Sequence, residues 1–287
     1  MNEQTSTYAL SRPAHVGQSH LVVTDLPTVS AYYQTMLGLK VLENGTSGQV
    51  LGAGGRPLLT LTTGGDVRRA PRNAAGLFHT AFLLPNRTEL GRWLRHAAGN
   101  NVVIDGASDH LVSEAIYISD PEGNGIEVYA DRPHGEWNYH ADGQVEMATM
   151  RLDLQALHDS APQDAWTGIP DQSAIGHIHL QVGDIPRADE FYRDVLGLEL
   201  MARYPGASFF GSGRYHHHVA ANIWNSRGAT ARSDRMSGLS DYTLKFNDKA
   251  ALDTALAKLD ALEIATSRDG DVVSLKDPWG IGLKLAL

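Results

Sequence analysis

The sequence contains no cysteine. Disulfides, zinc–thiolate sites, iron–sulfur clusters and a thiol nucleophile are thereby excluded, and imidazole and carboxylate remain as candidate metal ligands. No apolar run approaches the roughly 20 residues of a membrane-spanning helix. Residues 1–12 are polar and lack the apolar centre of a secretory signal. These absences predict a soluble, cytoplasmic protein with no membrane partner. A formal charge of −9 argues against nucleic acid as a partner. With 42% hydrophobic and 20% charged residues, the 287-residue chain is of ordinary globular type, long enough for about two domains. Thirteen histidines are a modest excess, informative only where they cluster.

One carboxylate looks out of place. The segment 113–131 reads SEAIYISDPEGNGIEVYAD, a strand, a tight turn over 120–125 and a returning strand. Glu127 lies inside the β-branched return. If Ile126 and Val128 face the core, alternation sends Glu127 to the other face, which is either solvent or a cleft where a carboxylate needs a cation.

The chain is a duplication. GQSHLVVTDLPTVSAYYQTMLGL from Gly17 and GHIHLQVGDIPRADEFYRDVLGL from Gly176 share Gly, His, Leu, Val, Asp, Pro, Tyr and the closing Leu-Gly-Leu in register, at an offset of 159 residues. Each copy predicts a strand, an Asp-x-Pro cap, an amphipathic helix and a Gly stop. A second strand-and-helix pair begins at Gly76 and at Gly238, and closes with DPEGNGIEV and DPWGIGLKL. An α+β protein follows, built of four βαβββ modules at about 15–65, 75–131, 174–225 and 238–287. The expected domains are 1–132 and 174–287, joined by a connector over 133–173.

This arrangement resembles the vicinal oxygen chelate superfamily, which includes glyoxalase I, fosfomycin-resistance proteins and type I extradiol catechol dioxygenases. The resemblance implies two half-barrel domains and a divalent metal on a concave face. It places ligands on first strands, five residues ahead of an aliphatic strand-end residue, and on last strands. His79 precedes Leu84 and His177 precedes Val182 by that spacing, and Glu127 is on a last strand. The corresponding residues of the other modules are Gln18 with His20 nearby, Asp241 and Lys284, a decayed set. Two His and one carboxylate suit non-haem Fe(II) or Mn(II).

The extradiol branch is implied by His110-LVSEA-Ile116-Tyr117 running into the Asp-Pro-x-Gly turn and Glu127. The family's pattern departs only at Ser108. By resemblance Tyr117 hydrogen-bonds the substrate oxygen and His110 supports it. His217, aligned on the family's His-x-x-Ala, takes the acid–base position, and a shift of one would give that role to His218. The implied partners are a small aromatic diol and O2, in a homo-oligomer. Two alternatives stay open: a glyoxalase-like isomerase or epimerase using His218 as a fourth ligand, and a non-catalytic aromatic-binding or resistance protein. The intact modules are the second and third, so either these two pair across the connector or each half closes on itself. The first uses every intact element and is expected.

Overall fold

The computed structural model describes residues 5–287. A short helix α1 (Thr5–Leu10) leads into the first module, β1 (Ala14–Val22), α2 (Leu26–Tyr32), β2 (Lys40–Asn44), β3 (Gly48–Ala53) and β4 (Arg56–Thr62). The second comprises β5 (Gly76–Leu83), α3 (Arg87–Gly99), β6 (Gly106–Asp109), β7 (Ser113–Ser119) and β8 (Gly125–Asp131). Between the halves lie β9 (Met150–Arg151) and α4 (Leu154–Ser160). The third module is β10 (Ala174–Gln181), α5 (Ile185–Asp189), β11 (Glu199–Tyr204), β12 (Ala207–Gly211) and β13 (Val219–Asn222). The fourth is β14 (Gly238–Phe246), α6 (Lys249–Ala261), β15 (Ser267–Asp269), β16 (Val272–Lys276) and β17 (Gly282–Ala286).

The duplicated motif folds the same way twice. Asp25 and Asp184 cap α2 and α5 by accepting the backbone N–H groups of Thr28 and Arg187 at 3.1 and 2.9 Å, with Pro27 and Pro186 in the first turn, where a missing N–H costs nothing. Each helix then widens into a π-helical turn, Tyr33–Leu37 and Glu190–Val195. Gly38 and Gly197 end both in the left-handed region, φ 72° and 77°, which a side chain disfavours.

Two curled sheets result, in the strand orders β15-β16-β17-β14-β1-β4-β3-β2 and β11-β12-β13-β10-β5-β8-β7-β6-β9. The second and third modules therefore share one sheet through the antiparallel pair β5–β10, and the first and fourth share the other through β1–β14. Each sheet draws on both halves of the sequence. One apolar core connects them, with Val16 and Leu21 of β1, Phe82 of β5, Ile178 and Leu180 of β10 and Leu244 of β14 in a single cluster.

The connector is more than a link. Its helix α4 buries Leu157 against α3, where Gly91 permits the approach: a Cβ there would stand 2.6 Å from the Leu157 carbonyl oxygen. Its strand β9 extends the second sheet beside β6. Asp, Gly, Gln and Pro scattered through 133–173 hide these elements, because each is too short to display a period.

Candidate metal centre and active site

The bulge in β10 between Ile175 and His177 sets the faces of this strand. Ile178 and Leu180 enter the core, and His177 and His179 face the concave side. Gly176 has to be small: a Cβ at this position would lie 1.7 Å from the Tyr129 hydroxyl oxygen. On β8 the same alternation buries Ile126 and Val128 in the core and turns Glu127 into the cleft. The turn before it is held by Asp120, whose Oδ1 accepts the N–H groups of Glu122 and Asn124 at 2.8 and 2.9 Å. Gly125 lets β8 approach β5, since a Cβ there would be 2.1 Å from the Phe78 carbonyl oxygen.

His79, Glu127 and His177 each offer one ligand atom to a common point, all within 4.8 Å of one another. Glu127 Oε2 lies 2.9 Å from His79 Nε2 and 3.2 Å from His177 Nε2. His79 Nε2 is buried without a hydrogen bond of proper geometry despite that short distance. Such an orphaned nitrogen, beside a buried carboxylate and a second imidazole, fits a divalent cation. Burial pushes the Glu127 carboxyl up, but the facing His177 and His79 outweigh it and hold the group well below the usual carboxylate range. Burial pushes His177 down to about 4. At neutral pH the set is thus an anion with a neutral imidazole, the protonation state a metal requires.

His110, Tyr117 and His217 line the same cavity, of about 1530 Å³. Tyr117 pairs with Glu127 across β7–β8. His110 Nδ1 donates to the Ala148 carbonyl oxygen at 2.7 Å, so its Nε2 accepts the Tyr117 hydroxyl at 2.7 Å. Burial and the nearby Glu127 raise the Tyr117 pKa well above its ordinary value, so the phenol stays protonated. The His217 ring lies 4.0 Å from that of His177, and burial keeps it neutral by lowering its pKa well below the ordinary value. Its neighbours point elsewhere: His218 Nε2 donates to the Ala9 carbonyl oxygen at 3.3 Å, and His216 Nε2 donates to Asp131 Oδ1 at 2.9 Å.

Sequence reasoning missed several cavity residues. His179 stands edge-on to His79, ring centroids 4.8 Å apart, and accepts from Asn222 Nδ2 at 3.0 Å. The His-x-His spacing was the available signal, since i and i+2 share a strand face. Phe78, Phe209 and Trp224 form an aromatic wall around His179, and Met147 and Thr149 from the connector also line the cavity. Nothing local marks these.

The corresponding place in the other sheet is closed by its own side chains. Lys284 Nζ donates to Asp241 Oδ1 at 2.7 Å, and His20 bridges Asp241 Oδ2 and Thr62 Oγ1 at 2.8 and 2.7 Å. Gln18 donates to Thr60 Oγ1 at 2.8 Å. The Lys284 ammonium, at the place that Glu127 has in the second module, neutralises the carboxylate directly. Lys284→Ala and Asp241→Ala are therefore expected to leave metal content unchanged in elemental analysis of metal-loaded protein. Loss of metal would place the centre in this sheet.

The fold and site define a class. The sequence profile of the Glyoxalase/Bleomycin resistance protein/Dioxygenase superfamily matches residues 12–128 and 174–284, and the chain belongs to this superfamily. It is 36% identical over 274 residues to the catechol-2,3-dioxygenase of Bacillus subtilis (strain 168), covering 94% of this chain and 96% of that one, which supports an extradiol dioxygenase. Among solved structures, one from Bacillus subtilis subsp. subtilis str. 168 superposes with a TM-score of 0.64 at 13% identity, covering 95% of this chain and 84% of that one. Glyoxalase I from Zea mays gives 0.58 at 16%, covering 97% and 94%. At these identities the structures speak for the fold alone. Among the described residues, no helix is long and apolar enough to cross a membrane.

Proposed function

We propose that the protein is an extradiol dioxygenase that opens the ring of catechol or a substituted catechol beside the diol, adding both atoms of O2 to give a 2-hydroxymuconic semialdehyde-type product. One observation carries this reading: a single cavity encloses a two-histidine, one-carboxylate set together with a protonated tyrosine and a neutral histidine. The name of the Bacillus subtilis relative agrees with it. A divalent metal held by His79, Glu127 and His177, Fe(II) by preference and Mn(II) otherwise, supplies the electronic link between an electron-rich diol and O2.

The chain's own residues do the rest. Tyr117 commits its proton to His110 Nε2, leaving its oxygen to accept a hydrogen bond from a diol hydroxyl and orient the ring. His217, neutral at rest, accepts a diol proton and later returns it to the oxygen that becomes anionic, a task for which imidazole is suited. Phe78, Phe209 and Trp224 give the ring an apolar wall to pack against. The cavity of about 1530 Å³ exceeds the roughly 300–1,000 Å³ of ordinary small-molecule pockets, which supports a substrate larger than unsubstituted catechol as well as catechol itself. An isomerase of the glyoxalase type would use His218 as a fourth ligand. That ring is turned to the Ala9 carbonyl and lies outside the cavity lining, which favours the dioxygenase.

The test joins metal analysis to an assay begun without oxygen. Metal-loaded protein mixed with catechol and then exposed to O2 is expected to consume one O2 per diol and to release a yellow product. Absence of O2 uptake across a panel of substituted catechols would overturn the assignment.

A further inference from the structure

Behind His217 runs a buried chain of hydrogen bonds that the proposed reaction has not used. Asp131 Oδ1 accepts His216 Nε2–H at 2.9 Å, and His216 Nδ1 lies 2.8 Å from His217 Nδ1. Asp131, His216 and His217 are 5%, 0% and 5% exposed. The other carboxylate oxygen, Oδ2, accepts the Tyr215 hydroxyl at 2.8 Å, and Tyr215 meets Tyr129 at 2.9 Å.

The donors and acceptors can be assigned in order along this chain. A carboxylate only accepts, so His216 carries a proton on Nε2, and with that as the ring's one proton its Nδ1 presents a lone pair. Two facing Nδ1 atoms at 2.8 Å need one hydrogen between them, which then belongs to His217. His217 is left with a bare Nε2, the nitrogen away from His216, on a ring that lines the cavity. Adjacent residues can form this chain because 215–218 precede β13 as irregular backbone, where strand alternation does not separate the two rings.

We propose that Asp131 and His216 are positioning residues that fix His217 as the tautomer with Nδ1 protonated and Nε2 open as a base toward the cavity. The inference rests on the dioxygenase reading for the use made of that base, but the tautomer itself is independent of any reaction. The logic is that of a carboxylate orienting a catalytic imidazole in a hydrolase triad, extended by one ring.

The first measurement needs no turnover. Long-range ¹H–¹⁵N spectra of the full-length, metal-free wild-type protein labelled at histidine should show His217 bearing hydrogen on Nδ1 and none on Nε2, and a proton on His217 Nε2 would overturn the proposal. Asp131→Asn supplies the second. Its amide can donate to His216 Nε2, which reverses the whole chain and puts the His217 proton on Nε2. A fall in kcat of about 10²–10⁴-fold is expected, with KM and metal content near wild type; unchanged kcat would overturn the proposal. Tyr215→Phe cuts only the other branch at Asp131 and should preserve both tautomer and kcat. His216→Gln, whose carbonyl oxygen can accept from His217 Nδ1, should retain more kcat than His216→Phe; equal loss in both would count against the proposal. Should the expected tautomer be seen in a protein that cleaves no diol, the dioxygenase reading fails and the assigned tautomer stands. Ring cleavage by a protein with the opposite tautomer sinks the positioning pair alone.

Discussion

Glu127→Gln is expected to reduce bound metal to background while the protein stays folded. The amide keeps the size of the side chain but cannot neutralise a divalent cation between His79 and His177, and it offers a weaker donor. Elemental analysis reads the loss directly, and a melting curve supplies a second measure. A ligand at a hundred times its dissociation constant stabilises the native state by about 2.7 kcal/mol. Added metal should therefore raise the melting temperature of the wild type by several degrees and leave that of Glu127→Gln unmoved. The comparison is made within each protein, with and without metal, because the substitution also relieves the burial of a charge. His177→Ala must lose the same metal, although Glu127 and His177 flank the connector, and His20→Ala must keep it. Full occupancy in Glu127→Gln would remove the metal centre from this cavity.

His217→Phe is expected to keep its metal, bind catechol and turn over about 10²–10⁴-fold more slowly, the range for removal of a positioned acid or base. The proposed ligands are His79, Glu127 and His177, whose ligand atoms lie together without His217, so no proposed ligand is lost. The phenyl ring has an aromatic neighbour in Phe209, whose centroid lies 5.0 Å from that of the native imidazole. It leaves His216 Nδ1 without its partner, at a cost of about 1–3 kcal/mol in stability, so a folded-state spectrum belongs beside the kinetics. Loss of metal would make His217 a ligand and revive an isomerase. If His218→Phe were the inactive variant and His217→Phe normal, the acid–base role would pass to a residue now bonded to Ala9.

The modules were legible because their signals are local. Asp25 with Pro27, repeated as Asp184 with Pro186, and the glycines that end both helices need only their own neighbours to be understood. Glu127 was legible for a related reason: a carboxylate between Ile126 and Val128 conflicts with its strand, and a site is where such conflicts persist. Which modules pair was legible only through the site: the intact ligand set of the second and third modules led to the expectation that they pair, and β5–β10 joins them. Nothing in the periodicity of β5 says that it pairs with β10 rather than β1, since that choice is settled by complementary surfaces far apart in sequence. For the same reason the contact of Asp131 with His216 was invisible, as was the part of the connector in holding His110 through the Ala148 carbonyl. Long-range hydrogen bonds leave no trace in spacing.

The pairing of modules has a consequence for how the chain is made. The inner two close on one another, and the outer two close around them, as brackets within brackets. During synthesis β1 emerges before the other described strands, yet the edge that β14 will cover stays open until Gly238–Phe246 has left the ribosome. The sheet that carries His79, Glu127 and His177 has all its strands by Asn222. A nascent chain stalled there would hold all three of these side chains and still expose the edge of β1 that β14 later covers, a state open to chaperones.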